Sequence, residues 1–220
     1  MIPLDNRLSC IAEAAGRSEC IADIGSDHAL IAVSLLLSKN AKRAIAIDIN
    51  QGPLDRGKST AQKYGVTDIE FVLSDGFERL REGSYDKAVV CGMGGSLIAE
   101  IIRRGGSKAH CPLVLQPMTA YEELRSYLWN NGFRIDNESF AVESDKPYVI
   151  INCSYTGKNE FYTYTDLYLG KVRPNTLEFL AFCKKICASA QKRHKGALHK
   201  GISSRHVEDL IAECYDIINK

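Results

Sequence analysis

No stretch of this 220-residue chain is apolar for long enough to cross a membrane, which takes about 20 residues. The first ten residues, MIPLDNRLSC, lack the basic-then-apolar pattern of a secretion signal. No Cys-x-x-Cys pair occurs: Cys10, Cys20, Cys91, Cys111, Cys153, Cys183, Cys187 and Cys214 are scattered, which argues against a zinc ribbon or a disulfide framework. Cys183 and Cys187 share one helix face and read as small buried apolar residues. His194, His199 and His206 have no carboxylate or thiol at ligand spacing, so no metal is expected. Internal repeats and low-complexity tracts are absent too. These absences describe a reduced, cytoplasmic, globular protein, with no membrane contact and no obligate protein partner implied.

Net charge is also nearly absent, at +1, but it is unevenly distributed. Residues 171–205 carry nine basic side chains (Lys171, Arg173, Lys184, Lys185, Lys192, Arg193, Lys195, Lys200 and Arg205) against the single acid Glu178, leaving 19 basic and 26 acidic residues elsewhere. A basic tail on an acidic body fits an anionic partner such as nucleic acid; on charge alone it equally fits a solvated helix face.

What is present is an alternation. Asp5 can cap a helix over residues 6–15. Then come CIADI, a helix over 28–39, RAIAIDI, a helix over 52–64, IEFVL, a turn of helix, KAVVCGM, a helix over 96–104, PLVLQP and a helix over 120–131. Asn50 with Pro53 suits one helix start, and Thr119 with Glu122 spells a capping box for another. Strands alternating with helices predict an α/β parallel sheet covered on both faces. FRIDNESFAVE and YVIINCSY, joined by SDKP, then predict a hairpin closing the sheet with one antiparallel strand. That arrangement is common in class I (Rossmann-like) methyltransferases and unusual in dinucleotide-binding dehydrogenases. The reading divides the chain into a cofactor-binding domain, 1–156, and a C-terminal coiled-coil-like helical hairpin, 157–220, interrupted at GALHKG.

Open α/β sheets bind ligands at the carboxyl ends of their strands. The first end here is Asp23-Ile24-Gly25-Ser26-Asp27-His28, with a turn glycine and helix-start amides for an anionic group. The second is Asp48-Ile49, whose carboxylate can accept both hydroxyls of a ribose. The third is Ser74-Asp75-Gly76, an acid and an amide suited to an adenine edge. The fourth is Cys91-Gly92-Met93-Gly94-Gly95, where missing side chains admit a ligand to the backbone. An acid after a strand is often only a helix cap; four in succession point to a nucleoside cofactor. GSDHAL lacks the second and third glycines of GxGxxG, which disfavours NAD, whereas S-adenosylmethionine, having no pyrophosphate, tolerates a bulkier loop.

ADIGSDHA, the acid followed by Asn50 and Gly52-Pro53, GMGG, and LQP before ELRSYLWNNGF resemble, over nearly the whole chain, the bacterial tRNA (adenine-N1)-methyltransferases of the TrmK type, which modify position 22 of tRNA. The resemblance implies a class I fold, S-adenosylmethionine as donor and tRNA as substrate. The chain departs from the family at Leu30-Ile31-Ala32, where a Tyr-Leu-Pro sequence is the pattern, so no role of that tyrosine carries over. Transfer from a sulfonium to adenine N1 needs in-line positioning more than deep acid–base chemistry. Asp27 would stabilise the positive charge appearing on the base or accept its proton. His28, Gly94, Gly95, Gln116 and Pro117 would border the base, while Lys184, Lys185, Lys192 and Arg193 would meet phosphates. Tyr121 and Trp129 are candidates for stacking, although Trp129 sits at core spacing. The alternatives are that Asp27 and His28 only cap and pack a helix, that the substrate is a small molecule, or that the protein is a non-catalytic RNA-binding module with a vestigial cofactor site.

Overall fold

The computed structural model describes residues 2–199 and 204–219. Asp5 starts helix α1 (Asn6–Ala15) as expected, its carboxylate accepting from the Leu8 amide at 2.7 Å. There follow β1 (Ser18–Ile24), α2 (Leu30–Leu37), β2 (Ala41–Asp48), α3 (Gln51–Tyr64), β3 (Ile69–Leu73), β4 (Lys87–Gly94), α4 (Gly95–Gly105), β5 (Leu113–Thr119) and α5 (Tyr121–Asn130). The chain continues through β6 (Phe133–Glu143), β7 (Lys146–Tyr155), α6 (Tyr164–Leu169), α7 (Leu177–Leu198) and α8 (Arg205–Ile218). The strands form one seven-stranded sheet in the order β3-β2-β1-β4-β5-β7-β6. Neighbours from β3 to β5 are parallel, and the chain order reverses between β1 and β4. Residues 21–24 of β1 and 88–90 of β4 are buried outright, as central strands covered on both faces require.

The closing hairpin is present with two corrections. Its turn is only Ser144-Asp145, at φ +48° and +62°, the two-residue geometry whose twist suits a tight hairpin; Lys146 and Pro147 already belong to β7. The antiparallel strand is β7, paired on both sides, so the sheet's edge is β6.

Three helix starts also differ from expectation. The helix expected over 28–39 begins at Leu30, because His28 and Ala29 adopt the left-handed region at φ +61° and +52°. Asn50 occupies the cap position of α3, but its side chain makes no capping bond. The Thr119/Glu122 capping box does not form: Ala120, at φ +53°, stands at the cap position, and no side chain caps α5.

The tail contributes α6 before the hairpin, opened by a Thr163/Asp166 capping box that the sequence reading missed. Helix α7 runs through Gly196, so the expected break comes later than its glycine; Lys200 and Gly201 lie outside the described residues. Phe179 and Phe182 of α7 pack on Phe140 of β6 with ring centroids 5.0 and 5.2 Å apart. Cys183, Ile186, Cys187, Leu210 and Cys214 join the same core cluster as Ile24, Val90 and Leu115 of the sheet. Architecture changes after Tyr155; the core does not.

Candidate active site

Adjacent strands β1 and β4 lead in opposite directions across the sheet, which opens a crevice at their carboxyl ends. A cavity of about 330 Å³ lies there, lined by Arg7, Asp23, Asp27, His28, Gly92 and Met93 among others. A larger one, about 520 Å³, lies toward the strands' amino ends near Arg43, Asp68 and Arg79, away from the strand-end glycines and acids.

Asp23 is buried, and its carboxylate accepts from Ser26 Oγ at 2.6 Å. Burial pushes its pKa up to about 6, against the opposing Ser26 hydrogen bond. Gly25, at φ +74°, makes the turn and leaves room for the Met93 side chain, which a β-carbon would strike. The amides expected here to meet an anion are already used: those of Gly25 and Ser26 both donate to the Ile47 carbonyl at 2.8 Å, and that of Asp27 to Gly25 at 2.9 Å.

Asp27 is exposed and does not cap α2. Its Oδ1 accepts from Arg56 Nε and Nη2 at 3.1 and 2.6 Å, with His28 Nε2 at 3.7 Å. Arg56 comes from α3, and Gly57 beside it lacks a side chain where Phe71 and Ala29 close in. Thus α3 grips the loop from outside. Leu30, standing where the family pattern has tyrosine, lines the cavity.

Asp48 accepts the Asn50 amide at 2.8 Å through Oδ1, and no group among the described residues occupies its other oxygen. Ile49 beside it is exposed, as is Leu73, the pairing partner of Asp48 on β3. Leu73 was not singled out from sequence, though an apolar residue just before Ser74 was the available signal. Asp75 corrects an expectation. Arg104 of α4 grips both its oxygens at 2.6 and 2.8 Å and holds its pKa below the usual carboxylate range, so its carboxylate is not free for an adenine edge. Gly76, at φ +57°, packs against Ile101.

At β4 the pairing with β5 slips between Cys91 and Met93, and Gly92 takes up the bulge at φ +77°. Its amide donates to Gln116 Oε1 at 3.2 Å, which also accepts from Arg7 Nη1 at 2.8 Å. Gln116 Nε2 donates to the Pro117 carbonyl at 2.9 Å. Gln116 is fully buried and Pro117 is buried beside Met93, so this amide sets the wall of the site and does not border a base. Gly94 faces Thr119, and a β-carbon on Gly95 would run into the Ala120 backbone. Arg7, missed from sequence, also lies over the Tyr148 ring at 5.7 Å.

On α7 the four cations separate. Lys185 Nζ donates to Tyr121 Oη at 2.5 Å and to the Pro147 carbonyl at 3.3 Å; Arg193 Nη1 donates to Tyr168 Oη at 2.8 Å and lies over that ring. All four are exposed, and Lys184 and Lys192 have no partner among the described residues. Tyr121 and Trp129 are buried, which removes both as stacking platforms. His194 meets Glu208, His206 stacks on Tyr164, and His199 meets the Lys195 carbonyl, so the tail's histidines turn to separate partners.

A reversal of strand order, a strand-end carboxylate with exposed apolar neighbours, and a glycine-rich strand end together define a nucleoside-cofactor site of the α/β type. Residues 4–151 match the family model described as a methyltransferase domain. The tRNA (adenine(22)-N(1))-methyltransferase of Bacillus subtilis is 33% identical over 153 residues, 68% of this chain and 64% of that protein. The match therefore spans just under two thirds of that relative. The crystal structure of the B. subtilis M1A22 tRNA methyltransferase TrmK superposes with a TM-score of 0.81 at 25% identity, covering 100% of this chain and 97% of that one. Streptococcus pneumoniae Sp1610 in complex with S-adenosyl-L-methionine gives 0.84 at 25% identity, covering 99% and 100%. The chain belongs to the methyltransferase-domain family.

Proposed function

We propose that the protein is an S-adenosylmethionine-dependent tRNA methyltransferase that forms 1-methyladenosine at position 22, working in the cytoplasm. The observation that carries this reading is one cavity shared by Asp27 and by Gly92 and Met93 at the end of β4. The B. subtilis relative and the bound donor in the S. pneumoniae structure support it.

The donor supplies a methyl group already activated on a sulfonium. The residues present fit it: Asp48 has an oxygen that no described residue occupies, open to ribose hydroxyls, the exposed Ile49 and Leu73 offer apolar surface to the adenine, and Asp23, Gly25, Ser26, Gly92 and Met93 surround the remaining space. Asp75 is held by Arg104, and Gly76 is buried against Ile101. Asp27 offsets the positive charge that develops on the target adenine and accepts the proton its exocyclic amine releases. Arg56 keeps that carboxylate aimed. Gly92 and Gly94 leave room for the displaced base, Gly95 being taken up by the Ala120 backbone, and His28 stands at the rim. Because N1 lies on the Watson–Crick edge, the adenine must leave its stack first. Residues 1–156 then serve as the cofactor unit and 157–220 as the RNA-facing unit.

Mass spectrometry of nucleosides from tRNA incubated with protein and labelled donor tests the reading. Labelled 1-methyladenosine at position 22 is expected; its absence, with donor bound, overturns the assignment. Asp27→Asn should lower turnover about 100-fold while donor affinity stays within twofold. If neither changes, Asp27 is not catalytic.

A further inference from the structure

A second cavity, also about 330 Å³, adjoins the first across β5, bounded by Thr119, Tyr121, Tyr168, Lys185, Ser189 and Arg193. The two share a wall: Gln116 fixes Gly92 on one side, and its Nε2 approaches Met118 Sδ at 3.6 Å on the other. Gly94 pairs directly with Thr119, so the second cavity begins one strand spacing from the glycine rim, about 4.8 Å.

Its chemistry is that of an anion receptor. Among the described residues Arg193 donates once, to Tyr168, which leaves four of its five N–H groups unclaimed there. Lys185 donates to Tyr121 and Pro147 and keeps one. The hydroxyls of Ser189 and Thr119 have no partner among the described residues. Among the lining residues the only acid is Glu122. Tyr121 is itself anchored to the Met118 carbonyl at 3.1 Å, and both tyrosines are buried, so the two cations are held in place and not left to wander. The buried rings offer no face for a base. Lys184 and Lys192 sit about 100° round the helix from Lys185 and Arg193 and line neither cavity.

We propose that this cavity is a subsite for a backbone phosphate of the RNA strand flanking the target nucleotide, held by Arg193, Lys185 and Ser189. The inference rests on the RNA-methyltransferase reading and deepens it: it divides the basic tail into a two-residue phosphate clamp anchored on tyrosines and an unanchored face of minor weight. Binding at this distance registers the strand, so that the target base enters the glycine rim.

The test titrates tRNA against wild type, Ser189→Glu, Arg193→Gln and the Lys184→Gln/Lys192→Gln pair at several salt concentrations, with donor affinity and melting temperature measured on each. Ser189→Glu removes no bond and places a carboxylate in the cavity, so it remains informative even where Arg193→Gln loosens Tyr168. Each of those two variants should weaken tRNA about tenfold. Arg193→Gln should also lower the salt slope by about 0.7–0.9. The lysine pair should cost less than about threefold. A Ser189→Glu protein within twofold of wild type, or a lysine pair as damaging as Arg193→Gln, overturns the subsite. Wild type that binds tRNA in a Ser189→Glu-sensitive way yet makes no 1-methyladenosine keeps the subsite and overturns the adenine-N1 reading; wild type that binds no tRNA overturns both.

Discussion

The loops leaving β1 and β4 emerge side by side and are built in opposite ways. After β1 the chain keeps its side chains and bends the backbone to place them, with two consecutive residues, His28 and Ala29, in the left-handed region and Asp27 tethered to Arg56. After β4 it removes side chains: Gly92 absorbs a bulge, and Gly95 lets α4 start against the Ala120 carbonyl. The difference shows that a charge in this site must be anchored from a neighbouring helix, whereas access must be created by leaving atoms out.

The harshest way to break that comparison is Gly95→Ala. Its β-carbon would meet backbone, which cannot step aside, and the expected cost is about 3 kcal/mol or more in denaturant unfolding. Gly25→Ala is the control, since its β-carbon meets the movable end of Met93; the left-handed φ alone should cost about 1–2 kcal/mol.

The next effect belongs to Asp23, beneath the β1 loop. Its pKa of about 6 in the folded protein lies above the ordinary 3.8, so the folded state holds this proton more tightly than the unfolded chain does. Stability should therefore fall as pH rises between about 4 and 6, by at most about 3 kcal/mol, and level off above. Unfolding measured across that range should show the loss in wild type and not in Asp23→Asn; parallel curves would remove Asp23 as its source.

At the cofactor end, Asp48→Ala should weaken S-adenosylmethionine by about 1.5–3 kcal/mol in calorimetry. Asp75→Ala should cost less than about 1 kcal/mol, because its carboxylate is already committed to Arg104. Equal losses would show that Arg104 releases Asp75 to the ligand. The smallest effect is expected from Glu122→Gln, within about 0.5 kcal/mol of wild-type stability, since no capping box exists for it to break. Asp5→Ala, which deletes a cap that is formed, should cost about 1 kcal/mol.

Much of this was legible in the residues. The bounds of α1, β3 and β6 follow directly from capping, apolar runs and alternation, and all four strand ends fall where the alternation puts them. What escaped was long-range. Arg56 reaches Asp27, and Arg104 reaches Asp75, from helices packed beside those loops, and no local pattern announces such partners. Gln116 looked like a free amide because its burial depends on Arg7 and Gly92, both far away in sequence. The capping box at Thr119 was a sound local signal overridden by tertiary packing, because the close approach of α4 at Gly95 holds Ala120 in a left-handed turn. Charge counting found the basic tail but treated its four cations alike; only the tyrosines opposite Lys185 and Arg193 tell them apart.

The packing of α7 over β6 has a consequence for synthesis. Phe179 and Phe182 cover Phe140, and α8 joins the same cluster, so segments made after the sheet finish a core whose strands left the ribosome earlier. A nascent chain stalled after Tyr155 carries its complete sheet with one aromatic face open to water. Such an intermediate invites chaperones and proteases until α7 and α8 follow, which makes their emergence a checkpoint for the sheet.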